Sequence, residues 1–252
     1  MARSPINNGD TGLTARNLIN AIGTDLDSHT GASGSNVHSL GTISTQNANA
    51  VIITGGSIVS GSARFGGAVN YTAFETDGTM VMSGSATVWK DLFFPLLATK
   101  QGALDKPAFD ANEQGFLFPS ADTSQIMYIT AQFNHDWKMG STVFPHVHWN
   151  QNHSGSPVFK IDYKWFDIGA TIPVAYSTYI MDTRQVVYTS GSIQQLNYSA
   201  GGISGSHIAG VSSLMLIKLY RDDNAYSGNA ITYQFDIHHE IDTLGSRSEY
   251  SK

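Results

Sequence analysis

The 252-residue sequence has no cysteine, which rules out disulfides and thiolate metal ligation and leaves the redox compartment open. Long apolar runs are also missing. No segment approaches the roughly 18 apolar residues of a membrane span, and the opening "MARSPINNGDTG" has no apolar stretch behind its arginine to serve as a signal. Charge is scarce at 13%, with a net value of -6, so the surface has no basic footprint and neither a nucleic acid nor a membrane is expected as partner. Long surface helices need Glu, Lys and Arg, and these are thinly spread.

What is present points to strands and turns. Hydrophobic residues make up 41% and glycine stands at 25, with Asn, Ser and Thr throughout, the composition of many short strands. The chain is long enough to bury a sizeable core, as one large β domain with an appendage or as two small domains.

Composition breaks near residue 85. The first 85 residues hold only Arg3, Arg16, Arg64, Asp10, Asp25, Asp27, Glu75 and Asp77 as charges, while Trp89, Trp137, Trp149 and Trp165 all follow. We therefore expect two regions, 1–85 and 86–252. In the first, "TGLTARNLINAIG" predicts a helix: Ala15, Leu18, Ile19 and Ile22 share one face, Thr11 or Thr14 can cap it and Gly23 can end it. About three turns with so narrow a stripe are marginal alone and must dock on a body or on copies of themselves. Beyond it, tiny apolar strands around Val51, Ile53, Ile58 and Met80 to Met82 alternate with Gly-Gly, Gly-Ser and Asp-Gly turns. Such strands are unstable singly and are expected to wind around identical chains as a trimeric stalk. A Gly/Ser-rich linker is the alternative.

The second region reads as a succession of strands: "QIMYITAQF", "TVFPHVHW", "VFKIDYKWFDI", "VAYSTYIM", "RQVVYTSG", "SLMLIKLYRD" and "ITYQFDIHHEI". Seven short strands with irregular turns predict a mainly β protein, an antiparallel β-sandwich of the jelly-roll kind. In "FKIDYKWF" alternation puts Phe159, Ile161, Tyr163 and Trp165 on one face and Lys160, Asp162 and Lys164 on the other.

Three sites carry possible chemistry. His146 and His148, two residues apart on a strand, project to one side about 7 Å apart. His238 and Glu240 make a second such pair. If the strands are neighbours, the four suit zinc, manganese or iron(II). However, Asn150 to His153 supply no glutamate where a cupin would have one. Strand or interface histidines bound to their neighbours are the plainer reading, and no cofactor is assigned. "DDNAYSGN" lacks the glycine and glutamate of a calcium loop and reads as a polar hairpin loop. The loop "NYSAGGISGSH", with Tyr198 and His207, either stacks on sugar rings or braces an interface between copies. There is no nucleophile elbow, no phosphate loop and no spaced carboxylate pair, so no enzyme is expected.

The run "SHTGASGSNVHSLGTISTQNANAVIITGGSI" resembles the short repeats of bacteriophage fibre and appendage proteins. "WKDLFFP" (Trp89 to Pro95), "PHVHW" (Pro145 to Trp149) and "FDIHHEIDTLGSR" (Phe235 to Arg247) resemble a jelly-roll domain of phage virion proteins. The resemblance implies a virion homotrimer, attached by its N-terminal segment and displaying the β domain. The stalk-like region reaches on the order of 150 Å at most. That favours a decoration or cement protein on the outer capsid surface, binding the major capsid protein, over the alternative of a tail-fibre or spike adhesin for host surface glycans. Ala15, Leu18, Ile19, Ile22, Val51, Ile53 and Ile58 would be the anchor and assembly residues.

Overall fold

In the computed structural model, the alternating segment Phe159–Phe166 is a strand with Phe159, Ile161 and Trp165 buried and Tyr163 packed beside them. The structure describes Asn17, which is helical, and residues 63–252 apart from 103, 121, 123, 182–190, 196–200 and 223–225. The expected anchor residues Ala15, Leu18, Ile19, Ile22, Val51, Ile53 and Ile58 lie outside the described residues. The chain divides between Ser57 and Ile58 into two units, and the described residues other than Asn17 belong to the second.

The strands in chain order are β1 (Ala63–Gly66), β2 (Tyr71–Phe74), β3 (Met80–Ser83), β4 (Val88–Pro95), β5 (Lys100–Gln101), β6 (Ala108–Asp110) and β7 (Gly115–Phe118). There follow β8 (Ile126–Gln132), β9 (Phe144–Gln151), β10 (Phe159–Phe166), β11 (Ser177–Met181), β12 (Gln194–Gln195), β13 (Leu214–Arg221) and β14 (Ala230–Ile241). They form a meander β1-β2-β3, a five-stranded sheet β11-β10-β13-β8-β5 and a six-stranded sheet β12-β9-β14-β7-β6 in which β4 also pairs with β14. The pairings are antiparallel, and the protein is mainly β, consistent with the expected sandwich. Among the described residues no helix is long and apolar enough to cross a membrane.

One core lies between the two larger sheets. Met127, Ile129, Phe159, Ile161, Trp165, Met215, Ile217 and Leu219 line it from the five-stranded side, and Phe118, Val147, Trp149, Phe235 and Ile237 from the other. Each fully buried side chain of this size contributes roughly 1.5–3 kcal/mol of transfer free energy. Two core indoles meet their polar needs locally: Trp149 Nε1 donates to Gln151 Oε1 at 2.8 Å, and Trp165 Nε1 to Ser213 Oγ at 3.1 Å. Arg221, at 1% exposure, donates to the carbonyls of Phe118 (3.1 Å), Gly228 (2.7 Å) and Tyr226 (2.5 Å). A guanidinium can be buried only when its donors are met in this way, and the bonds organise the hairpin after β13.

The meander is tied to the end of β14. Met82 N donates to Asp242 O at 2.7 Å, Val81 bridges Thr243, and Arg247 pairs with Asp77 at 2.9 Å and with Glu75. Residues 63–83, N-terminal to the composition break at 85, thus share the unit that holds the sandwich.

The longest strand changes phase once. Along β9, Gln151, Asn150 and Trp149 face Ala230, Ile231 and Thr232, and then His148 faces Gln234, so Tyr233 is an extra residue in β14. Before this bulge the buried residues are Ala230 and Thr232; after it they include Phe235, Ile237 and His239. The inward parity switches from even to odd, as one inserted residue requires. From Gln234 onward the even positions therefore face out of the sandwich.

Candidate functional site

The phase change determines which side chains meet on the outer face. Asp236 stands directly opposite His146 of β9, and His238 opposite both Phe144 of β9 and Asp91 of β4. Around Asp236 the distances are short: His146 Nε2 to Oδ1 is 2.7 Å and His148 Nε2 to Oδ2 is 3.2 Å. His238 Nε2 lies 3.0 Å from Asp91 Oδ1, and its ring is 4.1 Å from that of His146, centre to centre, edge to face. His146 and Asp236 are buried, His148 and His238 partly open, and Asp91 exposed. The underside of the group is fixed, because Val147, Phe235 and Ile237 on the same strands are fully buried.

Burial alone would push the Asp236 carboxyl up. The hydrogen bond from His148 and the close approach of His146, with the attraction of those imidazoles when charged, outweigh it and hold the group at about 2. The His238 imidazole is lowered by its burial and then by the neighbouring His146, against the pull of Asp91 and Asp236. His239 points the other way, into the core, and its burial lowers it too.

Three of the four histidine and glutamate residues expected as a site do come together. Their donor atoms form two overlapping trios, His146–His148–Asp236 and Asp91–Asp236–His238, with every pair of donors in a trio within 4.8 Å. Glu240 is not among them: it lies four residues along β14 from Asp236, and its carboxylate is engaged by Lys138 at 2.7 Å. Asp236, which takes the carboxylate role, and Asp91 were not singled out from sequence. His207 of the expected sugar loop is exposed, with its ring edge-on to Trp165 at 5.6 Å and Nε2 donating to Trp165 O at 3.3 Å. Tyr198 lies outside the described residues. Ile203 of the same loop is buried and exchanges backbone hydrogen bonds with Val143 at 2.9 and 2.8 Å, so this stretch is partly core.

Aromatic side chains flank the polar group. On β4, Trp89, Asp91 and Phe93 alternate onto the outer face, and Trp89 and Phe93 are more than half exposed. Trp89 meets Phe144 edge-on at 5.5 Å, which fixes the indole beside His238. The result is an open face carrying an indole, a phenyl ring, the Asp91 carboxylate and the partly open His148 and His238, with His146 and Asp236 buried beneath them, chemistry suited to holding a polyhydroxylated ligand or a cation.

Fold and site together define a β-sandwich protein with a histidine–aspartate–aromatic surface on one sheet. No protein-family model matches the sequence, and no curated protein matches it. Among solved structures the chain is similar to the CBM36-1 domain of a multidomain xylanase from the hindgut metagenome of Trinervitermes trinervoides, at 12% identity and a TM-score of 0.34, covering 60% of this chain and 96% of that one. It is similar to the CBM22-1-GH10 modules of Clostridium thermocellum endo-1,4-beta-D-xylanase 10B complexed with xylohexaose, at 15% identity and a TM-score of 0.30, covering 64% of this chain and 27% of that one. A third is the enzymatically active domain of bacteriophage CBA120 tailspike protein 4, at 11% identity and a TM-score of 0.25, covering 61% of this chain and 19% of that one.

Proposed function

We propose that the chain is a non-catalytic glycan-binding protein of a phage virion, of the fibre or spike kind, and that the outer face of β4, β9 and β14 is its ligand surface. The observation that carries this is the exposed Trp89–Asp91–Phe93 row beside His238 and His148. A pyranose offers a C–H face that stacks on an aromatic ring and a rim of hydroxyls that needs both donors and acceptors. An indole beside carboxylates and imidazoles meets both needs. An open face, unlike a closed pocket, also admits a long polysaccharide.

The motifs around Trp89, His146 and Phe235 that resemble phage jelly rolls support the virion assignment. This reading replaces the capsid-cement expectation, because a lattice clamp gives no reason for a polar aromatic face of this kind. In it, copies associate as a homotrimer through the N-terminal region. The exposed Phe65, Val69 and Phe74 of the meander are apolar surface that such association would cover.

The test is a glycan array probed with the full chain, followed by titration of the best ligand. Trp89→Ala should weaken binding by about five- to tenfold, in keeping with a stacking contact of ~1–1.5 kcal/mol, and leave the melting temperature nearly unchanged. Absence of binding to any host polysaccharide, or unchanged affinity in Trp89→Ala, would overturn the reading. Immunolabelling that places the protein on the capsid shell would restore the cement.

A further inference from the structure

We propose that His146, His148 and Asp236 form a binding site for one divalent transition cation of the zinc type, with His238 available to complete a fourth position. The inference goes beyond glycan binding and does not depend on it.

The first support is convergence. Two imidazole nitrogens and a carboxylate oxygen from β9 and β14 have all their donor atoms within 4.8 Å of one another. Metal–donor bonds of about 2.0–2.2 Å imply donor separations of roughly 3.3 Å in a tetrahedral site; His148 and Asp236 stand at 3.2 Å, and His146 and Asp236, at 2.7 Å, would move apart by roughly 0.6 Å. A small relaxation opens room for an ion.

The second support is an unmet polar atom. Asp236 Oδ1 is buried and accepts no hydrogen bond, although His146 Nε2 is 2.7 Å away. A close nitrogen–oxygen approach without a hydrogen bond along it is poor geometry for a His–Asp pair, and an orphaned buried carboxylate oxygen is costly. Two lone pairs directed at a shared cation are satisfied by the same arrangement.

The third support is the surroundings. Gln234 Nε2 donates to Asp236 Oδ2 at 3.4 Å and Asp91 holds His238 at 3.0 Å, the outer contacts that orient metal ligands. The strands beneath are locked by the buried Val147, Phe235 and Ile237. His148 and His238 remain partly open, which gives the ion a way in. A donor set of two or three imidazole nitrogens and one carboxylate selects zinc, nickel or cobalt over calcium and magnesium, which require oxygen.

The experiment uses the full chain, untagged and stripped with chelator, titrated with zinc by calorimetry and with cobalt by visible absorption. One equivalent should bind per chain, cobalt should give the intense d–d bands of a low-coordinate site, and zinc at 100 times its Kd should raise the melting temperature by roughly 5–10 °C. His148→Ala removes a partly exposed ligand and should lower zinc affinity by more than about 100-fold, with the metal-free chain still folding cooperatively. His153→Ala, at an exposed position outside the cluster, should bind zinc as the unaltered chain does. No saturable binding, unchanged affinity in His148→Ala, or a preference for calcium over zinc would each overturn the assignment.

Discussion

The two outer faces of the sandwich are built on one pattern and used differently. On the five-stranded sheet, Lys160, Asp162, Lys164, Lys218 and Tyr220 face solvent in simple pairings: Thr178 and Tyr220 donate to Asp162 at 2.7 and 3.1 Å, Lys160 pairs with Asp222, and Lys164 and Lys218 lie over the Tyr176 ring at 4.5 and 4.0 Å. Each of these three lysines has a carboxylate or an aromatic face, and Asp162 has two hydroxyl donors. On the six-stranded sheet the outward residues include three imidazoles gathered around one buried carboxylate. Alternation alone makes a wet face. A site needs like groups brought together at a cost that the packed inner face underwrites.

The contrast can be broken from inside, at the site, or at the ordinary face. The largest effect should come from Trp149→Ala, which empties the inner side of β9 and should destabilise folding by about 3–5 kcal/mol, measured by urea unfolding. Zinc and glycan binding should then fail together, because both depend on the same strand.

Asp236→Asn in chelator-treated protein should have the next largest effect, and one that depends on pH. The folded carboxyl sits at about 2, below the ordinary aspartate value of 3.8. Its contribution is therefore fully present above about pH 4 and is lost as pH falls through 2. That contribution is on the order of 2 kcal/mol. The stability gap between the unaltered chain and Asp236→Asn should be present at pH 5 and shrink as pH falls below 4. A gap that stays level down to pH 2 would mean that Asp236 is not held ionised by its histidines. The smallest effect should be that of Lys164→Ala on the ordinary face, within about 0.5 kcal/mol by the same unfolding assay.

Much of the sandwich could be read from local pattern. The segments now seen as β8, β9, β10, β11, β13 and β14 were all marked as strands by alternating or β-rich runs. "RQVVYTSG" falls largely outside the described residues. The short β5, β6 and β7 were not marked, because two to four residues are too few to establish a period. β4 escaped for another reason: Leu92-Phe93-Phe94 is a continuous apolar run that hides the alternation of Trp89, Asp91 and Phe93, so Asp91 went unnoticed.

The site was half legible. The i, i+2 spacing of His146 and His148 fixed their shared face. That Asp236 meets them depends on β14 pairing with β9 some 80 residues away, and on the register after Tyr233, neither of which is written in a local stretch. Glu240 was chosen because it shares the parity of His238, but four residues of strand carry it about 13 Å from Asp236.

The bulge at Tyr233 lets β14 carry one residue more than the facing stretch of β9 without losing step with it. Removing that one residue would set Gln234 directly after Thr232 in unbroken alternation, with Gln234 still opposite His148, Phe235 opposite Val147 and Asp236 opposite His146, so each would keep its present side. Loss of a single codon at this point would therefore spare the site and the core together, and a substitution at Tyr233 that keeps the residue count would likewise leave every downstream side chain on its present side.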